Sequence, residues 1–214
     1  MTGVQTCALP ISLKVLAVTA IAATVAAVTA FTQAQNVRVR GAIESVDGNT
    51  VMVKSRDGAS LKLVLKDNAN VRWVVKASLA DVKAATNVAI TSRPRADGML
   101  EAVELRIFPP GPFNSFHSEW DLMPGSQMTN GAAQTSVASV DGQVLTVEYK
   151  IPPDKTDVKK ILVTPKTIIA TTVAGSKDDL KPGLRVFVAN APKLPDGSLD
   201  VAAIQVEKEI PPPQ

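Results

Sequence analysis

The chain has 214 residues, in which 23 lysines and arginines face 20 aspartates and glutamates. A net charge so close to zero is not typical of a nucleic-acid-binding protein, whose basic residues cluster on one face. Cys7 is the single cysteine and His117 the single histidine. An intramolecular disulfide is therefore excluded within this sequence, and sites built on several cysteines or histidines are excluded with it.

The first twelve residues, MTGVQTCALPIS, resemble the in-frame translation of a sequencing-library adapter. We therefore set them aside before reasoning about the fold. A genuine N-terminal tail is the alternative.

Residues 13–34 are typical of a secretory signal peptide. Lys14 supplies the positive start, residues 15–31 are uncharged and rich in alanine, valine and threonine, and Thr32-Gln33-Ala34 suits cleavage after Ala34. A transmembrane anchor is the competing interpretation, but the run is short and only mildly hydrophobic for a span. The prediction is a periplasmic or secreted protein with no stable membrane span after signal cleavage.

An internal repeat organises the rest of the chain. The sequence SVDG at residues 45–48 recurs at residues 139–142, and DGMLE at residues 97–101 is echoed by DGSLD at residues 196–200. Matches in the same order indicate two copies of one unit. We predict a first β-barrel repeat at residues 35–108, a connector at 109–134, a second repeat at 135–209 and a tail at 210–214.

Each copy alternates apolar and polar residues between turn signals, as half-buried strands do. In the first copy the pattern predicts strands near residues 37–46, 50–56, 60–66, 86–93 and 99–108, with a helical turn capped by Ser78 before the fourth. Residues 69–76 either extend the third strand or form a further one. This order predicts an all-β protein of two tandem small OB-like five-stranded barrels after a signal helix. An SH3-like barrel or an open meander is the alternative.

The mature chain resembles a bacterial family of exported proteins that carries a domain-of-unknown-function label. The resemblance lies in VRGAIESVDGNTV at residues 39–51, in DLKPG at residues 179–183, and in WDLMPGS and MTN at residues 120–126 and 128–130. It implies an envelope location and a tandem β-barrel fold, and it implies no activity.

The predicted connector is rich in proline and glycine, as linkers are, yet it carries Phe113, Phe116 and Trp120. Flexible linkers are poor in aromatic residues, so we expect this one to dock on a barrel. One interpretation is that the rings plug a barrel end or join the two barrels. The other is an exposed aromatic platform for a ligand or partner.

A candidate metal site lies in the same connector. His117, Glu119 and Asp121 would share one face of an extended segment because side chains alternate with period two. One imidazole and two carboxylates suit a divalent metal, while Met123 and Met128 offer soft sulfur to copper(I). An exposed loop histidine is the plainer interpretation.

The rest of the sequence contains no catalytic motif. A Ser-His-Asp triad would have to use His117, and no Gly-x-Ser-x-Gly sequence or phosphate-binding loop is present. We therefore predict a non-enzymatic binding or scaffold protein of the bacterial envelope, without a cofactor. Its partner would be an envelope protein or glycan and not nucleic acid. A periplasmic metal-handling protein is the alternative, and an enzyme with a carboxylate-only site forms a third class.

Overall fold

The computed structural model describes residues 36–211, which form an all-β structure. Predicted strand ends agree with the observed ones to within a few residues in most cases. The strands are β1 (Asn36–Asp47), β2 (Thr50–Ser55), β3 (Ser60–Lys76), β4 (Asn87–Pro94), β5 (Leu100–Phe108), β6 (Phe116–Glu119), β7 (Gln127–Ser139), β8 (Gly142–Ile151), β9 (Lys155–Val163), β10 (Ile168–Ala174), β11 (Arg185–Pro192) and β12 (Leu199–Glu207).

The adapter-like residues 1–12 and the signal segment at residues 13–34 lie outside the described residues, as do residues 212–214. Between residues 36 and 211, no helix is long and apolar enough to cross a membrane.

Five strands close into a β-barrel. Strand β1 pairs with β2, β2 with β3, β3 with β12, β12 with β11, and β11 again with β1. Its core is made of buried aliphatic side chains from all five strands, among them Val39, Val51, Leu63, Val188 and Ile204. Closure removes the free edges that an open sheet of this size would expose.

The additional strands include a second ring of pairings. Here β4 pairs with β5, β5 briefly with β9, β9 with β8, β8 with β7, and β7 again with β4. A separate cluster of buried side chains, including Ile90, Leu105, Leu145 and Ile161, lies within this ring.

The strand pairing corrects the predicted domain boundaries. Residues 35–108 were expected to close one barrel and residues 135–209 another, but the first barrel takes β1–β3 from the first copy and β11–β12 from the second. The second ring takes β7–β9 from the second copy and β4–β5 from the first. The two copies have therefore exchanged their last two strands, and the described residues belong to one compact unit.

The length of β3 gives a physical reason for the exchange. This strand has 17 residues, and its pairing with β12 breaks register between Leu65 and Asn70, so the strand has an irregularity there. It stays paired with β12 as far as Val74, and its residues 72–76 also pair with β10, which lies beside β5, so the chain emerges beside the other ring. The following hairpin, β4 and β5, then pairs there with β7 and β9.

A pairing between β3 and β10 joins the two rings. Strand β10 runs antiparallel to the end of β3, with Thr171 opposite Val75 and Thr172 opposite Val74. On its other edge β10 runs parallel to β5, as β3 runs parallel to β12. The β3–β10 pairing therefore lies at the centre of the arrangement, and each copy supplies one of its two strands.

The helical turn expected after the third strand is a 3-10 turn at Leu79–Asp81. The hydroxyl of Ser78 accepts from the Ala80 N–H, and the carboxylate of Asp81 accepts from the Ser78 N–H, which forms a capping box. The second copy repeats this arrangement at Lys177–Asp179 with Ser176 and Asp179. This shared detail supports the duplication inferred from sequence.

Gly41 is needed because β2 crosses β1 closely at this point. A Cβ atom at position 41 would lie 2.0 Å from the carbonyl oxygen of Lys54, so the backbone would have to shift. We expect Gly41→Ala to lower the free energy of unfolding by about 3 kcal/mol, the upper end of overpacking costs. Urea denaturation measures this, and Ser45→Ala, at an exposed site on β1, is the control. Equal stability of the two variants would contradict the close approach.

Candidate functional site

The connector is not a free tether. Its β6 pairs antiparallel with the start of β7, with His117 opposite Thr129 and Glu119 opposite Gln127. The hydroxyl of Ser115 donates to the Asn130 carbonyl and accepts from the Lys150 N–H. These bonds hold the connector against β7 and β8 of the second ring.

The next residues of the connector contact the first barrel. The Arg38 guanidinium stacks over the Trp120 ring at 3.9 Å from its centroid. The carboxylate of Asp121 accepts from both Arg38 and Arg40 at 2.8 Å. Arg38 and Arg40 are two residues apart on β1, so they share one face of the strand. This face is where the connector docks.

The charges at this contact are unequally exposed. Arg40 is almost fully buried, and its guanidinium also lies over the Phe187 ring at 5.1 Å. The Asp121 side chain is half exposed. Partial burial raises the pKa of Asp121, but hydrogen bonds from Arg40 and Arg38 outweigh it and lower this pKa to about 2. The carboxylate is therefore ionised at neutral pH.

Asp121 should make the stability depend on pH in acid. Its pKa in the folded state lies below the ordinary 3.8, so its contribution is present above pH 3.8 and is lost as the pH falls toward 2. We expect Asp121→Asn to cost about 1 kcal/mol at pH 7, because the pair is half exposed, and almost nothing at pH 2. Urea denaturation across this range measures the gap, with the exposed Asp154→Asn variant as control. A gap that stays constant down to pH 2 would contradict the ion pair.

The three aromatic residues proposed as a platform lie in different surroundings. Phe113 packs against Phe108 with ring centroids 5.1 Å apart. Phe116 lies on β6 opposite Asn130, and Trp120 lies against Arg38. All three are half buried. They do not share one open surface, and Phe113 lines a groove.

The predicted metal ligands do not converge. His117 lies opposite Thr129, with its Nδ1 2.9 Å from the Thr129 hydroxyl, whereas Met128 lies opposite Ser118 and hence on the other face of the sheet. Met128 is buried, and Asp121 is engaged by two arginines. Among residues 36–211, no three His, Cys, Asp or Glu side chains form a group that could hold a metal ion. The set His117, Glu119, Asp121, Met123 and Met128 is therefore not one site.

His117 instead packs against Tyr149, with ring centroids 5.3 Å apart. Burial lowers the pKa of His117, and the charge of Lys159 lowers it further. The imidazole is therefore neutral at pH 7. Tyr149 in turn donates to the carboxylate of Asp157 at 2.9 Å, so the histidine belongs to the packing between β6 and β8.

A groove of about 460 Å³ lies between the connector and the second ring. The Phe113 ring stands on one side, and Glu148, Lys150 and Thr156 of β8 and β9 stand on the other. The Asn87 amide donates to the Gly111 carbonyl at 3.4 Å. The groove thus combines one aromatic surface with side chains that can donate and accept hydrogen bonds.

A second charged pair is buried between the rings. Glu104 and Arg106 on β5 form an ion pair, and both are almost fully buried. Burial raises the pKa of Glu104, while the charges of Arg106 and Arg40 oppose that rise. Arg106 also donates to the Pro211 carbonyl at 3.1 Å, which ties the end of the described chain to β5.

Several residues of these sites were not singled out from sequence. From sequence, Arg38 and Arg40 are expected to be ordinary solvated charges. Their spacing of two residues places both on one face of a strand, and this was the available signal for an acidic partner. Asn87, Glu148 and Lys150 come from strands far apart in sequence, so only the exchanged strand pairing brings them to the groove. Comparison with protein-family models, curated proteins and solved structures finds no match to this chain.

Proposed function

We propose that this protein is a non-enzymatic binding or scaffold module of the bacterial envelope, formed by two OB-like barrels that have exchanged strands. Support for the OB-like description comes from the order of three strands, a 3-10 turn and two strands in the first copy. The second copy has the same order, except that β9 and β10 stand in the place of its third strand. The composition of residues 13–34 supports export to the periplasm or medium.

The groove beside Phe113 carries the proposal of binding. OB-like barrels bind oligosaccharides or oligonucleotides on one face, and a ring next to hydrogen-bonding side chains suits the apolar face and hydroxyl groups of a sugar. The groove carries both Glu148 and Lys150, so no single sign of charge dominates it. We therefore assign an envelope glycan as the ligand of this groove.

Amide NMR spectra of the chain, titrated with soluble peptidoglycan fragments, test this function. We expect shifts centred on Gly111, Phe113 and Lys150, and their loss in Phe113→Ala. Val140→Ala is the matched control, because Val140 is fully exposed at the β7–β8 turn. Unchanged spectra would contradict glycan binding at the groove. Cleavage of the fragments that a single substitution abolishes would instead identify an enzyme.

A further inference from the structure

The 3-10 turn that the two copies share begins with a different residue in each. In the second copy this residue is Lys177, whose ammonium donates to the Asn49 side-chain oxygen at 3.0 Å and to the Lys66 carbonyl at 3.1 Å, both in the first barrel. In the first copy it is Leu79, which packs against the core of the second ring. A leucine cannot donate a hydrogen bond, so the turn meets the two rings in different ways.

The two rings can be aligned residue by residue through a pair of glycines. A Cβ atom on Gly41 would clash with the carbonyl oxygen of Lys54, and one on Gly131 would clash with that of Glu148. The glycines lie on β1 and β7, and the carbonyls lie on the neighbouring strands β2 and β8. Lys54 and Glu148 are therefore equivalent positions.

This alignment extends to the residues around the turn. Counting along the paired strands places Gln143 at the equivalent of Asn49, and Thr164 at the equivalent of Lys66. The second ring thus has an amide side chain and a backbone carbonyl at the two positions that an ammonium joins in the first barrel. Leu79 lies beside them and leaves them unjoined.

A pocket of about 270 Å³ lies at this end of the second ring. Its apolar lining consists of Leu79, Val163, Pro165 and Ile169. The Thr167 hydroxyl also lines it but is used within the chain, because it donates to the Ala102 carbonyl at 2.8 Å and accepts from the Thr164 N–H at 3.0 Å. The pocket therefore presents mainly carbon surface, which suits an alkyl chain.

A polar cavity of about 480 Å³ adjoins this pocket and shares part of its wall, at Thr164 and Pro165. Its charged lining is balanced between two cations and two carboxylates, which are Arg95, Lys166, Glu101 and Asp141. Arg95 and Asp141 are paired with each other at 3.1 Å. Among the described residues, Lys166 and Glu101 take part in no salt bridge, so one charge of each sign is left for a ligand.

We propose that this end of the second ring binds a single-chain zwitterionic amphiphile, with its alkyl chain in the apolar pocket and its head group in the polar cavity. The Lys166 ammonium binds the anionic group, and the Glu101 carboxylate binds the cationic group. A head group of a single sign would meet a like charge at one of these two residues. The pocket is smaller than usual sites for drug-sized ligands, so it holds one chain. The groove beside Phe113 has a separate lining, so each proposal can fail without the other.

Amide NMR spectra of the whole chain, titrated with hexylphosphocholine and octylphosphocholine below micelle-forming concentrations, test this proposal. We expect saturable shifts centred on Leu79, Thr164 and Lys166. Octylphosphocholine should bind about tenfold more tightly than the hexyl compound, because two further methylenes enter the pocket. Octyl sulfate and octyltrimethylammonium should bind about fivefold more weakly than octylphosphocholine. The absence of saturable shifts at the pocket, or equal affinity for either singly charged compound, overturns the proposal.

Variants of the chain locate the site. Leu79→Lys gives the second ring the ammonium that Lys177 provides in the first barrel, so it should fill the pocket and weaken binding about tenfold or more. Leu194→Lys, at the exposed turn between β11 and β12, is the matched control and should bind as the unaltered chain does. Lys166→Glu, at an exposed site, should weaken binding of octylphosphocholine about fivefold. Undiminished binding by Lys166→Glu, or by Leu79→Lys with its melting temperature retained, overturns the assignment to this pocket.

Discussion

Replacing Glu104 by leucine is expected to lower the free energy of unfolding by about 3–5 kcal/mol, because it leaves the buried charge of Arg106 without its partner. The pair lies on β5, and both side chains are more than nine-tenths buried. Among residues 36–211, Arg106 would keep the Pro211 carbonyl as its one acceptor. Urea denaturation at pH 7 measures the loss.

The double variant Glu104→Leu/Arg106→Met separates the effect of the buried charges on stability from the effect of side-chain packing. Removing both charges also removes the cost of burying them, so we expect its stability to lie within about 1 kcal/mol of the unaltered chain or above it. Glu44→Leu, at an exposed site on β1, is the control for the leucine itself. A double variant as unstable as the single one would show that the ion pair stabilises the fold in its own right.

Residues 36–108 alone are expected not to form a folded monomer. They contain β1–β5, but the ring that β1–β3 close in the whole chain needs β11 and β12. Two copies of this fragment could exchange hairpins as the two repeats do, with their β3 ends paired like β3 and β10. We therefore expect a homodimer at high concentration and unfolding on dilution.

Light scattering with size-exclusion chromatography gives the mass of the fragment, and circular dichroism gives its melting temperature. The melting temperature should fall on dilution for residues 36–108 and stay constant for the whole chain. A monomer that melts at a temperature independent of concentration would mean that β4 and β5 can close their own barrel. The exchange would then depend on the connector rather than on the length of β3.

Local structure was largely predictable from sequence, because alternation and turn residues are local signals. The Asp-Gly pair at residues 47–48 predicts the first hairpin, and Gly48 indeed has a φ of 53°. Ser78 predicts the cap of the 3-10 turn. The possible extension of the third strand is also observed, since β3 continues to Lys76.

The partners of each strand were not predictable in the same way. A hairpin with the pattern of β4 and β5 fits either ring equally well, since both copies carry the same pattern. The end of β3 pairs with β10, which lies beside β5, so a contact between the two copies brings this hairpin to the second ring. Position along the chain therefore gave a poor guide to domain boundaries.

The connector shows that contacts between residues distant in sequence also limited the prediction of the candidate sites. Alternation correctly placed His117 and Glu119 on one face, but the chain turns after β6, and Asp121 meets Arg38 and Arg40 of the other ring. Those contacts join residues about 80 positions apart in sequence. No local pattern can specify such a pair, although the two arginines on one face of β1 were a hint.

The exchange of strands also sets the order of events during synthesis. The first barrel cannot close until β11 and β12 have left the ribosome, after roughly 130 further residues have followed β3. At about 5–20 residues per second, the first three strands wait roughly 7–26 s for their partners. The first barrel thus stays incomplete until translation is nearly finished, a state that suits the proposed export of the chain through a secretion channel.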